Sequence, residues 1–187
     1  MIAFIVIAAL VIVLIVWLIA IYNRLVGLRN RRENAYADID VQLKQRLDLI
    51  PQLVATVKGY AAHEKELLEK VTQARAGVMQ AQGVEAKVQA ENLLSSALQG
   101  LRVSVEAYPD LKANQNFMQL QEEIADIENK LAASRRFFNS ATQELNTAVE
   151  SFPNSLIASR FGFSRQTLFS VGDENRPAME QAPVIKL

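Results

Sequence analysis

Residues 2–21, "IAFIVIAALVIVLIVWLIAI", contain no charged and no strongly polar side chain. About 20 such residues are what a helix needs to cross the hydrocarbon core of a bilayer. A cleaved signal peptide would want a basic start, a shorter apolar stretch and a small-x-small site. Nothing basic precedes this run, and "WLIAIYNRL" offers no good cleavage site. The chain has no cysteine, which excludes a lipoprotein anchor. The expectation is a retained membrane anchor over residues 1–22.

The flanks set an expected orientation. Arg24, Arg29, Arg31 and Arg32 follow the run before the first acid, Glu33. By the positive-inside tendency they place the body in the cytoplasm and the N-terminus outside. Trp17 and Tyr22 suit the aromatic belt at that interface. Contact with membrane lipid is therefore expected through Trp17, Tyr22, Arg24, Arg29, Arg31 and Arg32, the arginines acting as a topology signal with snorkelling side chains rather than as a lipid-specific site.

Beyond the anchor the chain is nearly neutral, 20 Lys and Arg against 20 Asp and Glu in all 187 residues. It carries no electrostatic footprint for nucleic acid. Without cysteine there is no disulfide, thiolate metal site or thiol nucleophile.

The periodicity is helical, apart from a short stretch near "FGFSRQTLFSV" that alternates as a strand could. Leu43, Ile50, Val57, Val71 and Val78 fall on a seven-residue repeat, with Leu47, Val54 and Ala61 four positions after the first three and Leu68 three before Val71. This stripe predicts one long helix over about 24–76, with Gly77 and Gly83 marking a connection. Ala90, Leu94, Ala97, Leu101, Val105 and Tyr108 predict a second over about 86–107, stopped by Pro109. Phe117, Leu120, Ile124, Ile127, Leu131, Ser134, Phe138, Ala141, Leu145, Ala148 and Phe152 alternate steps of three and four. They predict a third over about 114–151, with Pro153 ending it. Pro51 either bends the first helix or lies in the first turn of a new one capped by Asp48. In the next connection, Asn114 or Asn116 could supply the N-cap oxygen.

No catalytic pattern emerges. A zinc-protease helix needs His-Glu-x-x-His, because two imidazoles one turn apart must meet the same metal. Here His63-Glu64 stands with no second histidine. Glu-x-x-His pairs, nucleophile elbows, phosphate-binding glycine loops and dinucleotide fingerprints are also missing. No catalytic residue, metal ligand or cofactor is expected, and His63 reads as a histidine at the bundle surface or partly buried, paired with a neighbouring carboxylate or carbonyl.

The succession "QRLDLIPQLVATVKGYAAHEKELLEKVTQAR", "YPDLKANQNFMQLQEEIADIENKLAASRRFFN", "FP" and "FGF" resembles the LemA family of bacterial membrane proteins. The similarity runs from the anchor to about Val171. It implies an N-terminal membrane helix in the bacterial inner membrane followed by a helical bundle, and it implies no known chemistry. One departure is Phe138, where family members often carry tyrosine.

Two surface features remain. Arg46, Glu128, Arg135, Arg136 and Asn139 form a candidate polar network; Glu128 stands two turns before the arginine pair, and Arg46 could meet it across the bundle. Fixing helix register is the favoured role, ligand binding the alternative. Leu53, Tyr60, Leu67 and Ala74 widen the apolar face of the first helix, and Phe137 cannot share a core direction with Phe138. Tyr60, Leu67 and Phe137 are thus candidate self-association residues. Phe161, Phe163 and Phe169 are expected to pack back on the bundle, and 173–187 to form a tail. The expected protein is all-α: an anchor at 1–22, then an elongated three-helix, coiled-coil-like bundle over 23–172. Its expected role is a non-enzymatic scaffold that forms homo-oligomers at the membrane. Alternatives are an adaptor tethering a membrane-protein partner such as a protease or signalling protein, or a small-ligand sensor or enzyme.

Overall fold

The computed structural model describes residues 1–61 and 63–169, and among these there are helices and no strand. The expected tail lies outside the described residues. The elements are α1 (Ile2–Tyr60), α2 (Lys65–Gln80), α3 (Val84–Val105), α4 (Pro109–Lys112), α5 (Gln115–Glu150) and α6 (Asn154–Arg160). The all-α class and the apolar N-terminal helix leading into a helical body are as the periodicity indicates. α1 carries on without a break through the expected domain boundary at residue 22.

The helix count in the body differs. The helix expected over about 24–76 is two helices, because α1 stops at Tyr60 and the chain turns back through 61–64. The reason is visible at position 64. A straight continuation of the seven-residue repeat from Val57 would put Glu64 on the core-facing row, and burying an unpaired carboxylate costs several kcal/mol (on the order of the penalties for any lone buried ion). The turn leaves Glu64 half-buried. Its Oε1 accepts the Tyr108 hydroxyl proton at 3.1 Å. His63 sits exposed in this same turn rather than on a helix. Gly77 is inside α2, and the connection to α3 is 81–83, where Gly83 takes φ +82°, a backbone region that side chains disfavour.

The chain divides into two compact units. One comprises Met1–Ile39 and Ala133–Leu168; the other holds Asp40–Ala132 and Phe169.

In the second unit four helical segments share one core. Leu47, Ile50, Leu53 and Val57 come from α1, Leu68, Val71 and Val78 from α2, Leu94, Leu101 and Val105 from α3, and Phe117, Leu120 and Ile124 from α5. Leu111 of α4 is buried with them and closes the end. Leu53, Leu67 and Ala74, which made the first helix look too apolar for one seam, pack into this core. A Cβ on Gly100 of α3 would come to 3.3 Å from Leu67 Cδ1, so α2 and α3 approach closely where glycine leaves room. Asn114 caps α5, its Oδ1 accepting from the Phe117 N–H at 3.0 Å.

Pro51 lies inside α1, so Asp48 does not start a new helix; its carboxylate accepts from Lys44 Nζ at 2.7 Å instead. A helix-interior proline leaves the carbonyl four residues back without its N–H partner. That carbonyl belongs to Leu47, and Arg75 Nε of α2 donates to it at 2.8 Å. The proline thus creates a vacant acceptor on the face of α1 that α2 covers, and an arginine fills it.

In the first unit α1 and α5 run antiparallel. Ile21 and Leu25 pack with Leu145, Ala148 and Val149 of α5 and with Ile157 and Ala158 of α6. Residues 2–20 are exposed along their whole length. The α5 seam is buried from Phe117 to Ala148 apart from the half-buried Ser134, but its last expected member, Phe152, is 82% exposed. α5 ends at Glu150, so Phe152 lies past the helix and off its row.

Candidate functional site

Three of the four arginines after the apolar run, Arg29, Arg31 and Arg32, are engaged with phenylalanines. The Arg29 guanidinium lies 5.4 Å from the ring centre of Phe163, that of Arg31 5.5 Å from Phe137, and that of Arg32 4.9 Å from Phe138. Such cation–π contacts contribute about 0.5–1 kcal/mol at exposed sites and more when water is excluded. The cations also reach oxygens: Arg31 donates to Glu144 Oε2 at 2.8 Å, and Arg32 to Thr142 Oγ1 at 3.2 Å. Burial lowers the Arg32 pKa from its ordinary value, against the opposing influence of Glu33 and Tyr36. Tyr36 stands 5.6 Å from Phe138, so the buried Phe138 ring contacts both an aromatic and a guanidinium. Arg24 is exposed, as are Trp17 and Tyr22. Arg29, Arg31 and Arg32, expected from sequence to set orientation, thus take part in packing within this unit. Sequence reasoning assigned Arg29, Arg31 and Arg32 to the membrane alone; the signal for their second role was the pairing of "RR" at 31–32 with "FF" at 137–138.

The returning segment docks on α5 through a side chain that sequence reasoning missed. Asn146 is 2% exposed; its Nδ2 donates to Gln166 O at 2.9 Å and its Oδ1 accepts from the Gln166 N–H at 2.8 Å. Arg165 donates to Glu150 at 2.7 Å. A carboxamide is the one neutral side-chain group that meets both halves of an extended residue's backbone. Phe163 is half-buried and Phe169 buried, whereas Phe161 stays 60% exposed despite its contact with Tyr22.

The candidate network divides between the units. Arg46 and Glu128 meet in the second unit, with Arg46 Nη2 donating to Glu128 Oε1 at 2.5 Å. Ser95 Oγ of α3 accepts from both Nη atoms at 3.3 and 3.4 Å. Arg46 is 1% exposed, and burial lowers its pKa from the ordinary value, with Glu128 acting in the opposite direction. The Glu128 side chain keeps 49% of its surface in water. A buried guanidinium that ties its own helix to two others by directional bonds is chemically suited to fixing register. Glu91, one turn before Ser95 on α3, is a further buried carboxylate that sequence reasoning missed. Arg135, Arg136 and Asn139 belong to the first unit; Arg136 is exposed and the other two half-buried.

Of the self-association candidates, Leu67 is in the core just described. Tyr60 is 46% exposed, its hydroxyl accepting from Asn114 Nδ2 at 2.9 Å, and Phe137 is 44% exposed under Arg31. An open groove of about 360 Å³ lies in the second unit beside Arg75, lined also by Asp40, Lys44, Asp48 and Lys87. Its charges are matched from within: Lys87 donates to Asp40, Lys44 to Asp48, and Arg75 to Leu47 O. Among the described residues no cluster of His, Asp and Glu is arranged to hold a metal ion.

An N-terminal helix long and apolar enough to cross a membrane, continuous with a helical body, defines a membrane-associated all-α protein. The chain belongs to the LemA family, whose sequence pattern matches residues 35–186. It is similar to Protein LemA of Metamycoplasma hominis, 26% identical over 159 residues that cover 82% of this chain and 71% of that protein. It is also similar to the magnetosome protein MamQ of Magnetospirillum gryphiswaldense, 23% identical over 174 residues. That match covers 79% of this chain and 64% of the magnetosome protein, so the chain spans less than two thirds of that relative's length.

Proposed function

We propose that this protein is a non-enzymatic scaffold, anchored by residues 2–21 in a bacterial inner membrane, with its helical body in the cytoplasm. The observation that carries the reading is the continuity of α1. The exposed, uncharged run passes in one helix into packed residues beginning at Ile21 and Leu25. Anchor and body therefore share one continuous helix, which suits a presenting or spacing role. The polar groups described above are spent on holding helices and segments together, which supports structure over chemistry. One relative is named for a cell structure, the magnetosome, and not for a reaction.

Self-association is the finer part of the proposal. With Leu53, Leu67 and Ala74 used in the core, it rests on two separate exposed rings, Tyr60 and Phe137. Purification from native membrane in mild detergent, with mass measured on wild type, Tyr60→Ser and Phe137→Ser, tests it. A wild type that is monomeric at every concentration removes self-association, and a stoichiometric foreign chain replaces it with the adaptor reading. For topology, the absence of cysteine allows a single Gln82→Cys in the exposed α2–α3 connection. A membrane-impermeant maleimide should label it only after lysis. Labelling in intact cells puts the body outside.

A further inference from the structure

We propose that the corner between α5 and α6 is a second membrane contact, in which Phe152, Leu156 and Phe161 enter the lipid interface beside the anchor. This rests on the reading of residues 2–21 as a membrane span.

The three side chains are 82%, 65% and 60% exposed, an unusual outlay of apolar surface within ten residues of chain. α6 is two-sided: Ile157 and Ala158 face Ile21 and Leu25, while Leu156 faces away from the protein. The height of this corner follows from pairs on the page. Arg32 bonds Thr142 and Arg31 bonds Glu144, so moving toward the end of α5 is moving back along α1 toward the apolar run. Glu150, the last residue of α5, is as far beyond Thr142 as Arg24 is before Arg32, so the helix ends near Arg24 and Phe152 follows just past that end. Phe161 reaches the level of Tyr22 directly, its ring centre 5.0 Å from that of Tyr22. Tyr22 is the first residue after the apolar run, where a spanning helix leaves hydrocarbon and aromatic side chains are favoured.

Lipid is the occupant because the patch continues the exposed surface of the span itself. Apolar rings and leucine at headgroup depth, with cations on the same rim, are the signature of an interfacial amphipathic element. Arg24 and Arg160 are exposed at this rim. The acid nearest in sequence, Glu150, is paired with Arg165. A short helix laid on the interface would fix the tilt and rotation of the anchor, which a single span alone leaves loose.

The test is spin-label accessibility on the full chain in phosphatidylcholine–phosphatidylglycerol vesicles. Single cysteines replace Leu156, Ile12 in the span and Met79 in the body, positions 65%, 61% and 62% exposed, so the labels displace no core. Each carries a nitroxide, and collisions are measured with oxygen, which concentrates in lipid, and with a water-soluble nickel chelate. Unchanged far-ultraviolet circular dichroism melting establishes that each variant folds. The oxygen-to-nickel ratio at Leu156→Cys should lie between those at Ile12→Cys and Met79→Cys, several-fold above the latter. A ratio at Leu156→Cys equal to that at Met79→Cys overturns the proposal while leaving the span intact. A label shielded from both reagents also overturns it, since a second copy or another protein then covers the patch. If Ile12→Cys itself reports water, the span reading fails, and this proposal falls with it.

Discussion

The Pro51–Arg75 arrangement makes a prediction that depends on both residues at once. Arg75→Met keeps most of the aliphatic stem and removes the donor to Leu47 O. A hydrogen bond from a charged group contributes about 1.5–3 kcal/mol. Arg75 is only half-buried, and water can replace part of the bond, so the expected loss is about 1–2 kcal/mol. For a chain of 187 residues this lowers Tm by about 2–8 °C. Pro51→Ala restores the i→i−4 bond to the same carbonyl, and removing an interior proline is worth up to about 3 kcal/mol in helix propensity. In that background Arg75→Met should cost no more than about 0.5 kcal/mol, as at an ordinary surface position. The interaction energy between the two substitutions is then about 1 kcal/mol. The carbonyl has two lone pairs and could accept from both donors, which makes this a lower figure than the full bond. Thermal unfolding of the four proteins in one detergent, followed by far-ultraviolet circular dichroism, closes the cycle. If Arg75→Met costs the same with proline and with alanine at 51, the arginine is not replacing the missing N–H, and the reasoning is wrong.

Glu128→Ala strands the buried Arg46 guanidinium and should cost about 1–2 kcal/mol, below the roughly 3–5 kcal/mol of a fully buried pair because Glu128 is half in water. Asp48→Ala, which breaks an exposed i,i+4 pair with Lys44, should cost about 0.5 kcal/mol or less; equal effects in urea titrations would show that burial of Arg46 is not felt. Asn146→Ala should speed hydrogen exchange at the Gln166 amide many-fold while leaving α5 protected, and unchanged exchange there would show that the segment docks by other contacts. Tyr108 donates to Glu64, and burial, then that bond, raise its pKa above the ordinary 10.0. Its folded value is the higher one, so its contribution is fully present below pH 10.0 and is lost as pH rises through the folded value. Tyr108→Phe should abolish this alkaline step in stability, and a step that survives belongs to another group.

The sequence by itself determined the class of fold. An uncharged apolar run of about 20 residues has the length of a helix that crosses lipid, and a seam of threes and fours is buried as a helix face. α5 shows it: all but one of the seam residues from Phe117 to Ala148 are buried, the exception being the half-buried Ser134. The family resemblance added the same architecture and held. What periodicity could not determine was direction. A heptad stripe reads the same whether the chain continues straight or turns and comes back, since both keep the apolar residues inside. The sole local hint was the carboxylate at 64 on an apolar row, and its meaning depended on Tyr108, far along the chain. The same limit hid the roles of the arginines. Charge beside an apolar run has a topological meaning readable from one strand of text, but stacking on Phe137, Phe138 and Phe163 requires knowing which residues of α5 and beyond return to that level. Pro51 is the sharpest case. Its local effect, a carbonyl without a partner, follows from the residue alone; whether that vacancy becomes a kink, a wet gap or a bond is decided by whatever side chain the tertiary fold brings within 3 Å, here Arg75 at 2.8 Å.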